Sequence, residues 1–146
     1  MRNIYLVGTL IMIIELVVIS RIVYYNEEED GEITVNELYE RVLQETKYKE
    51  AGLISRSFGG WWSVAILKDG NCWQLSDYFE RVLIKHGVAK NRIKHVKLYK
   101  DGNYVHCMLM VDDIVYELSE VNREVVWYEK DSLLELRNEF DYYILK

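Results

Sequence analysis

The chain reads as an α+β protein, with helices first and an antiparallel sheet after them. Three observations predict this. A helical capping signal and a 3.6-period apolar stripe occupy residues 34–86, several short strand-like runs separated by tight-turn dipeptides fill residues 92–128, and proline is absent throughout. The 146 residues include twelve tyrosines and four tryptophans, enough apolar and aromatic surface for one well-filled domain.

Residues 1–26 stand apart. Ile4 to Ile19 is an apolar run interrupted only by Glu15, and Arg21, Tyr24 and Tyr25 follow it. As a helix, Ile4 to Tyr25 would span roughly 33 Å, enough for a bilayer core. A charged Glu15 would cost about 2.5–3.5 kcal/mol, against which eleven Ile, Leu and Val residues contribute about −0.3 to −0.6 kcal/mol each. The expectation is an uncleaved signal anchor, a single transmembrane helix with the domain at residues 27–146 outside the cytoplasm. The alternative is a soluble protein in which this segment is a buried helix.

After a solvated acidic linker, Asn26 to Glu32, the box Thr34-Val35-Asn36-Glu37 opens a helix through about Glu45, with Leu38 and Val42 on its buried stripe. A short helical turn is expected over Lys49 to Ser55. Beyond Gly59-Gly60, the run Trp61 to Leu67, apolar but for Ser63, predicts a strand or extended segment, and Lys68-Asp69-Gly70-Asn71 turns the chain. Cys72 to His86 carries Leu75, Phe79, Val82 and Leu83 at helical spacing and stops at Gly87. Arg92 to Tyr99 alternates, with Val96 and Leu98 on the buried face and His95 and Lys97 on the polar one. Asp101-Gly102 is a hairpin signal. The strand Tyr104 to Val111 is apolar on both parities except at His106, which predicts a central strand. Asp112-Asp113 turns into Ile114 to Leu118, and Glu124 to Tyr128 forms a further strand. Ser132-Leu133-Leu134-Glu135 predicts a capped helix through Phe140, and Tyr142 to Leu145 a last strand.

The chemistry concentrates in two residues. Cys72 falls at the start of a helix, where unpaired backbone N–H groups and the positive end of the dipole favour thiolate. His106, 34 residues on, is an imidazole in an otherwise apolar strand, a costly position unless something uses it. A thiol and an imidazole so disposed suit nucleophilic attack with proton transfer. The backbone N–H of Cys72 would serve as one oxyanion donor, and Trp61 or Trp62 could supply a second. Cys107, of opposite strand parity to His106, is expected to fill core space. His86 suits the helix C-terminus and His95 the polar strand face; no zinc-ligand spacing and no phosphate-cradling glycine pattern occurs. The net charge of −6 argues against nucleic acid as a partner.

Gly70-Asn71-Cys72, the helix pattern after it, its close at Lys85-His86-Gly87-Val88, the strand from Arg92-Ile93 and the His106 strand together resemble the transglutaminase-like superfamily, a branch of the papain-like cysteine protease fold. The resemblance covers about Trp61 to Ser119. It implies a papain-like core in which the cysteine-bearing helix packs on an antiparallel sheet, an amide substrate in a peptide, protein or cell wall, and no cofactor. It makes Cys72 the nucleophile and His106 the base. The family's aspartate falls on Ser119, with Glu117, Glu120 and Asn122 as other candidates to orient the ring. Trp61, Trp62 and Trp73 would line the substrate cleft. The expected function is a peptidase, amidase or acyltransferase, and the alternative is a degenerate module of the same fold that binds a protein partner.

Overall fold

The computed structural model describes residues 33–49, 60–119 and 125–146. The expected N-terminal apolar helix, and most of the turn expected over Lys49 to Ser55, lie outside the described residues. Among the described residues no helix is long and apolar enough to cross a membrane.

Helix α1, Val35–Glu45, begins at the expected capping box. The Glu37 carboxylate accepts from Thr34 N at 2.7 Å, and Thr34 Oγ1 accepts from Glu37 N at 3.3 Å. Its buried side is Leu38, Tyr39, Val42 and Leu43. Strands β1, Lys47–Tyr48, and β2, Asp69–Gly70, pair in parallel as a two-stranded sheet.

The run Trp61 to Leu67, expected to be extended, is helix α2, Trp61–Leu67. A short apolar run with no alternation does not distinguish a strand from a buried helix. What settles it is distant in sequence: the Asp77 carboxylate accepts from Trp61 N at 2.9 Å and so caps the helix from outside. Ser63 Oγ donates to Gly60 O at 2.8 Å, and Lys68 ends the helix in the left-handed region at φ 55°.

Helix α3, Cys72–Lys85, supplies that aspartate. Asn71 and Gln74 close a reciprocal capping box, both bonds 3.0 Å, and Gln74 Nε2 also donates to Ser63 Oγ at 3.2 Å. Gly70 is required at the entry to α3, because a Cβ there would lie 2.8 Å from Val64 Cγ2 and 3.1 Å from Gln74 Cβ. Leu75, Phe79, Val82 and Leu83 are buried as their spacing predicts.

Strands β3, Ile93–Lys100; β4, Asn103–Val111; β5, Ile114–Tyr116; β6, Trp127–Glu129; and β7, Tyr142–Leu145 form an antiparallel sheet in the order β6-β5-β4-β3-β7. β4 is central, in line with its apolar sequence. One face packs Tyr116 against Tyr39 and Phe79, with ring centroids 5.0 and 5.8 Å away. The other gathers Val96, Leu98, Met108, Met110 and Val115 with Leu133. The Asp101-Gly102 turn has φ of 50° and 73°, as a tight hairpin requires. The register shifts between Leu98, opposite His106, and Tyr99, opposite Tyr104. That irregularity sits beside His106, a common way to aim a side chain at a site.

The helix expected from Ser132 to Phe140 is cut short. A 3-10 turn over Lys130–Ser132 leads into α4, Leu133–Leu136, and Ser132 already has helical dihedrals and makes no side-chain cap bond. The chain leaves the helix at Arg137, whose guanidinium turns inward to Glu117. Glu124 lies outside the described residues, and β6 starts at Trp127.

Tyr39 ties α1 to the sheet. Its hydroxyl shares one proton between the carbonyls of Glu117 and Val126, the latter at 2.8 Å, and its oxygen accepts from Val126 N at 3.2 Å. Tyr39→Phe is predicted to lower unfolding free energy by about 1–3 kcal/mol, read by urea denaturation, because buried backbone groups lose their partner while the ring packing stays.

Candidate active site

Cys72 is the first residue of α3, directly after the Asn71 cap, and is partly exposed. The imidazole of His106, on β4, sits beside it. The His106 pKa is raised: burial opposes the charge, but hydrogen bonding to the Cys72 thiol and to Glu117, with the charge of both, outweighs it. Phe140 stacks on the imidazole, with centroids 6.1 Å apart and planes within 8°.

The nitrogen Nε2 of His106 lies 2.8 Å from Glu117 Oε2. Glu117 follows β5 with the parity of Val115, so it enters the face of the sheet that carries His106. Its side chain is 1% exposed, and that of His106 is 12% exposed. The Glu117 carboxylate is fully served: Arg137 Nη1 donates to Oε2 at 2.8 Å, while Ser119 N and Ser119 Oγ donate to Oε1 at 2.8 and 2.6 Å. Burial raises its pKa, but the His106, Ser119 and charge interactions together hold it well below the usual carboxylate range. Arg137 is itself positioned by Glu139 Oε1 at 2.6 Å from Nε, and it lies over the Phe140 and Tyr128 rings at 5.1 and 5.9 Å.

The structure therefore brings Cys72, His106 and Ser119 together, but the carboxylate on the imidazole belongs to Glu117. Ser119 Oγ is 3.3 Å from His106 Nε2 and links that nitrogen to Glu117. Asn122 and Glu120 lie outside the described residues. Asp112 is taken up by a two-point pair with Arg92, 2.7 and 3.0 Å. Arg137 escaped sequence reasoning. The available signal was Glu117 itself, a carboxylate at a core-facing strand position that requires a cation or several donors.

Of the three tryptophans, Trp73 and Trp62 are 39% and 38% exposed. The Trp61 ring lies 5.7 Å from the Arg81 guanidinium. Cys107 is fully buried, and burial, with the charge of Cys72, pushes its thiol up to about 12. His95 departs from expectation: instead of a solvated strand face it packs against α3, with Nε2 2.8 Å from Glu80 Oε2 and its ring 5.0 Å from Trp73. Asp77, Glu80 and His95 bring ligand atoms within 4.8 Å of one another, the one such group among the described residues. Glu80 already serves His95 there, and Asp77 caps α2.

Comparison of the fold with solved structures finds Legionella pneumophila LapG. The chain shares its fold with LapG. One LapG structure is 13% identical, with a TM-score of 0.50 over 76% of this chain and 65% of that one. An EGTA-treated form gives 12% identity and a TM-score of 0.51 over 75% and 61% of the two chains. A calcium-bound form gives 12% and 0.50 over 76% and 65%. The chain thus spans less than two thirds of the length of the LapG chains it matches. No protein-family model matches the sequence, and no curated protein does. The α+β core, a cysteine-bearing helix on an antiparallel five-stranded sheet, fits the papain-like fold.

The folded imidazole holds its proton above the ordinary value of about 6.5, so its contribution to stability is complete below that pH and is lost as pH rises through the raised value. Glu117 runs the other way: its contribution is present above about pH 4.3 and lost as pH falls through its depressed value. Glu117→Gln is predicted to cost about 3–5 kcal/mol near neutrality, by removing one partner of a buried ion network, and to flatten the alkaline loss of stability attributable to His106. Urea unfolding across pH reads both effects.

Proposed function

We propose that this protein is a transglutaminase-like cysteine enzyme that cleaves or transfers an amide through Cys72 and His106. The observation that carries the reading is the contact of a buried, fully hydrogen-bonded carboxylate, Glu117, with Nε2 of an imidazole that also interacts with the helix-start thiol of Cys72. The fold shared with LapG, a transglutaminase-like cysteine protease, supports it at the level of the superfamily.

In this reading the proton of the Cys72 thiol already resides on His106 when the sulfur attacks the amide carbonyl. The tetrahedral oxyanion takes a hydrogen bond from the backbone N–H of Cys72. His106 then returns the proton to the leaving nitrogen as the C–N bond breaks, which leaves a thioester on Cys72. Water or an amine attacks the thioester, with His106 again taking the proton, and the thiol is regenerated. Glu117 orients the ring and stabilises the imidazolium, and Ser119 and Arg137 hold Glu117. Trp61, Trp62 and Trp73 form the wall of the substrate cleft, and no cofactor takes part. Residues 1–26 would tether the domain at residues 27–146 to a membrane, so that it meets peptide or cell-wall amides outside the cytoplasm.

Reactivity tests this directly. Iodoacetamide near neutral pH is expected to alkylate Cys72 and spare buried Cys107, as mapped by mass spectrometry. His106→Ala is expected to slow the reaction at Cys72 by about tenfold or more, within the range general-base assistance supplies. Equal, slow labelling of both cysteines, unchanged by His106→Ala, would favour a non-catalytic binding module.

A further inference from the structure

At the first turn of α3 lies a cation with no carboxylate partner among the described residues. Lys97 lies on β3, opposite Cys107 in the register, and its Nζ is 4.8 Å from the Trp73 ring centre and 5.5 Å from that of Tyr104. Trp73 is the residue after Cys72 on the first turn of α3, and Tyr104 couples electrostatically to both Cys72 and Cys107. Both rings are well exposed, 39% and 43%.

Neighbouring ionic groups are paired among themselves. Glu80 takes His95, and Asp77 accepts from Trp61 N. Lys97 has no carboxylate within ion-pair distance among the described residues; its contacts are the two aromatic faces. On a protein of net charge −6, Lys97 thus presents an ammonium braced by two exposed rings at the start of the cysteine-bearing helix.

Resting on the cysteine-enzyme reading, we infer that Trp73, Lys97 and Tyr104 form a specificity subsite that accepts a carboxylate of the substrate close to the amide attacked by Cys72. The rings contribute flat apolar contact to the adjoining part of the substrate, and the ammonium selects its charge. The carboxylate comes either from an acidic side chain or from a chain terminus. A lysine held between rings keeps most of its side-chain order before binding, so less entropy is lost when the anion arrives.

Three maleimide probes of nearly equal size separate these possibilities: maleimidoacetyl-glutamate α-amide, with a side-chain carboxylate; maleimidoacetyl-glutamine, with a terminal carboxylate; and the neutral maleimidoacetyl-glutamine amide. Second-order rates at Cys72 are measured at low salt in the full chain, in Lys97→Gln, in Lys97→Arg and in the control Lys94→Gln, which removes a lysine of opposite strand parity. At least one anionic probe is expected to react about fivefold faster than the neutral one, Lys97→Gln to abolish that preference, and Lys97→Arg and Lys94→Gln to keep it. Which anion leads identifies the source of the carboxylate. Equal rates for all three probes, or a preference that survives Lys97→Gln, would overturn the subsite while leaving the enzyme reading intact. Failure of the neutral probe to react selectively at Cys72 would overturn that reading and the subsite with it.

Discussion

The structure turns on one buried carboxylate. Glu117 is closed off from solvent and satisfied by donors from three directions: the His106 imidazole from β4, the Arg137 guanidinium after α4, and the backbone and hydroxyl of Ser119. An isolated carboxylate at such a depth would be neutral or would not be buried at all. The network converts that cost into geometry. It fixes the ring of His106, pulls the chain inward at Arg137, and shortens the last helix to a single turn so that the guanidinium can reach.

A second organising element works on the thiol. Asn71 and Gln74 cap α3 reciprocally, Gln74 reaches on to Ser63, and Asp77 caps α2. Gly70 lets the Val64 and Gln74 side chains pack directly on the backbone at this corner. The two helix starts are therefore locked to each other by side chains from the start and first two turns of α3, the helix that Cys72 begins. In the proposed function, a thiol on such a preorganised helix start has little conformational freedom left to lose before reaction.

Much of this frame was legible in the sequence where the signal was local. The Thr34 box, the stripe of Leu75, Phe79, Val82 and Leu83, the Asp101-Gly102 turn and the doubly apolar β4 each follow from spacing within a few residues. The failures have a common cause, which is that a distant partner decided the outcome. Trp61 to Leu67 is helical with Asp77 as its cap, and the helix after Ser132 ends at Leu136, where Arg137 turns in to Glu117. His95 left the polar face because Glu80 and Trp73 receive it. At the site, Cys72 and His106 were visible as anomalies, a thiol at a helix start and an imidazole in an apolar strand. Glu117 and Ser119 share one strand parity, so alternation placed both on the His106 face and could not choose between them; both reach Nε2 of the ring.

The central claim is that Glu117 holds the His106 imidazole oriented and protonated against Cys72. The most direct measurement is the pH titration of the His106 ring nitrogens by 15N NMR, in the unaltered chain and in Glu117→Gln. The account predicts an imidazolium that persists above the ordinary histidine value of about 6.5, with an Nε2 proton sheltered from exchange, and a fall toward that value when Glu117 is replaced. A ring that titrates at or below the ordinary value, indifferent to Glu117→Gln, would contradict it.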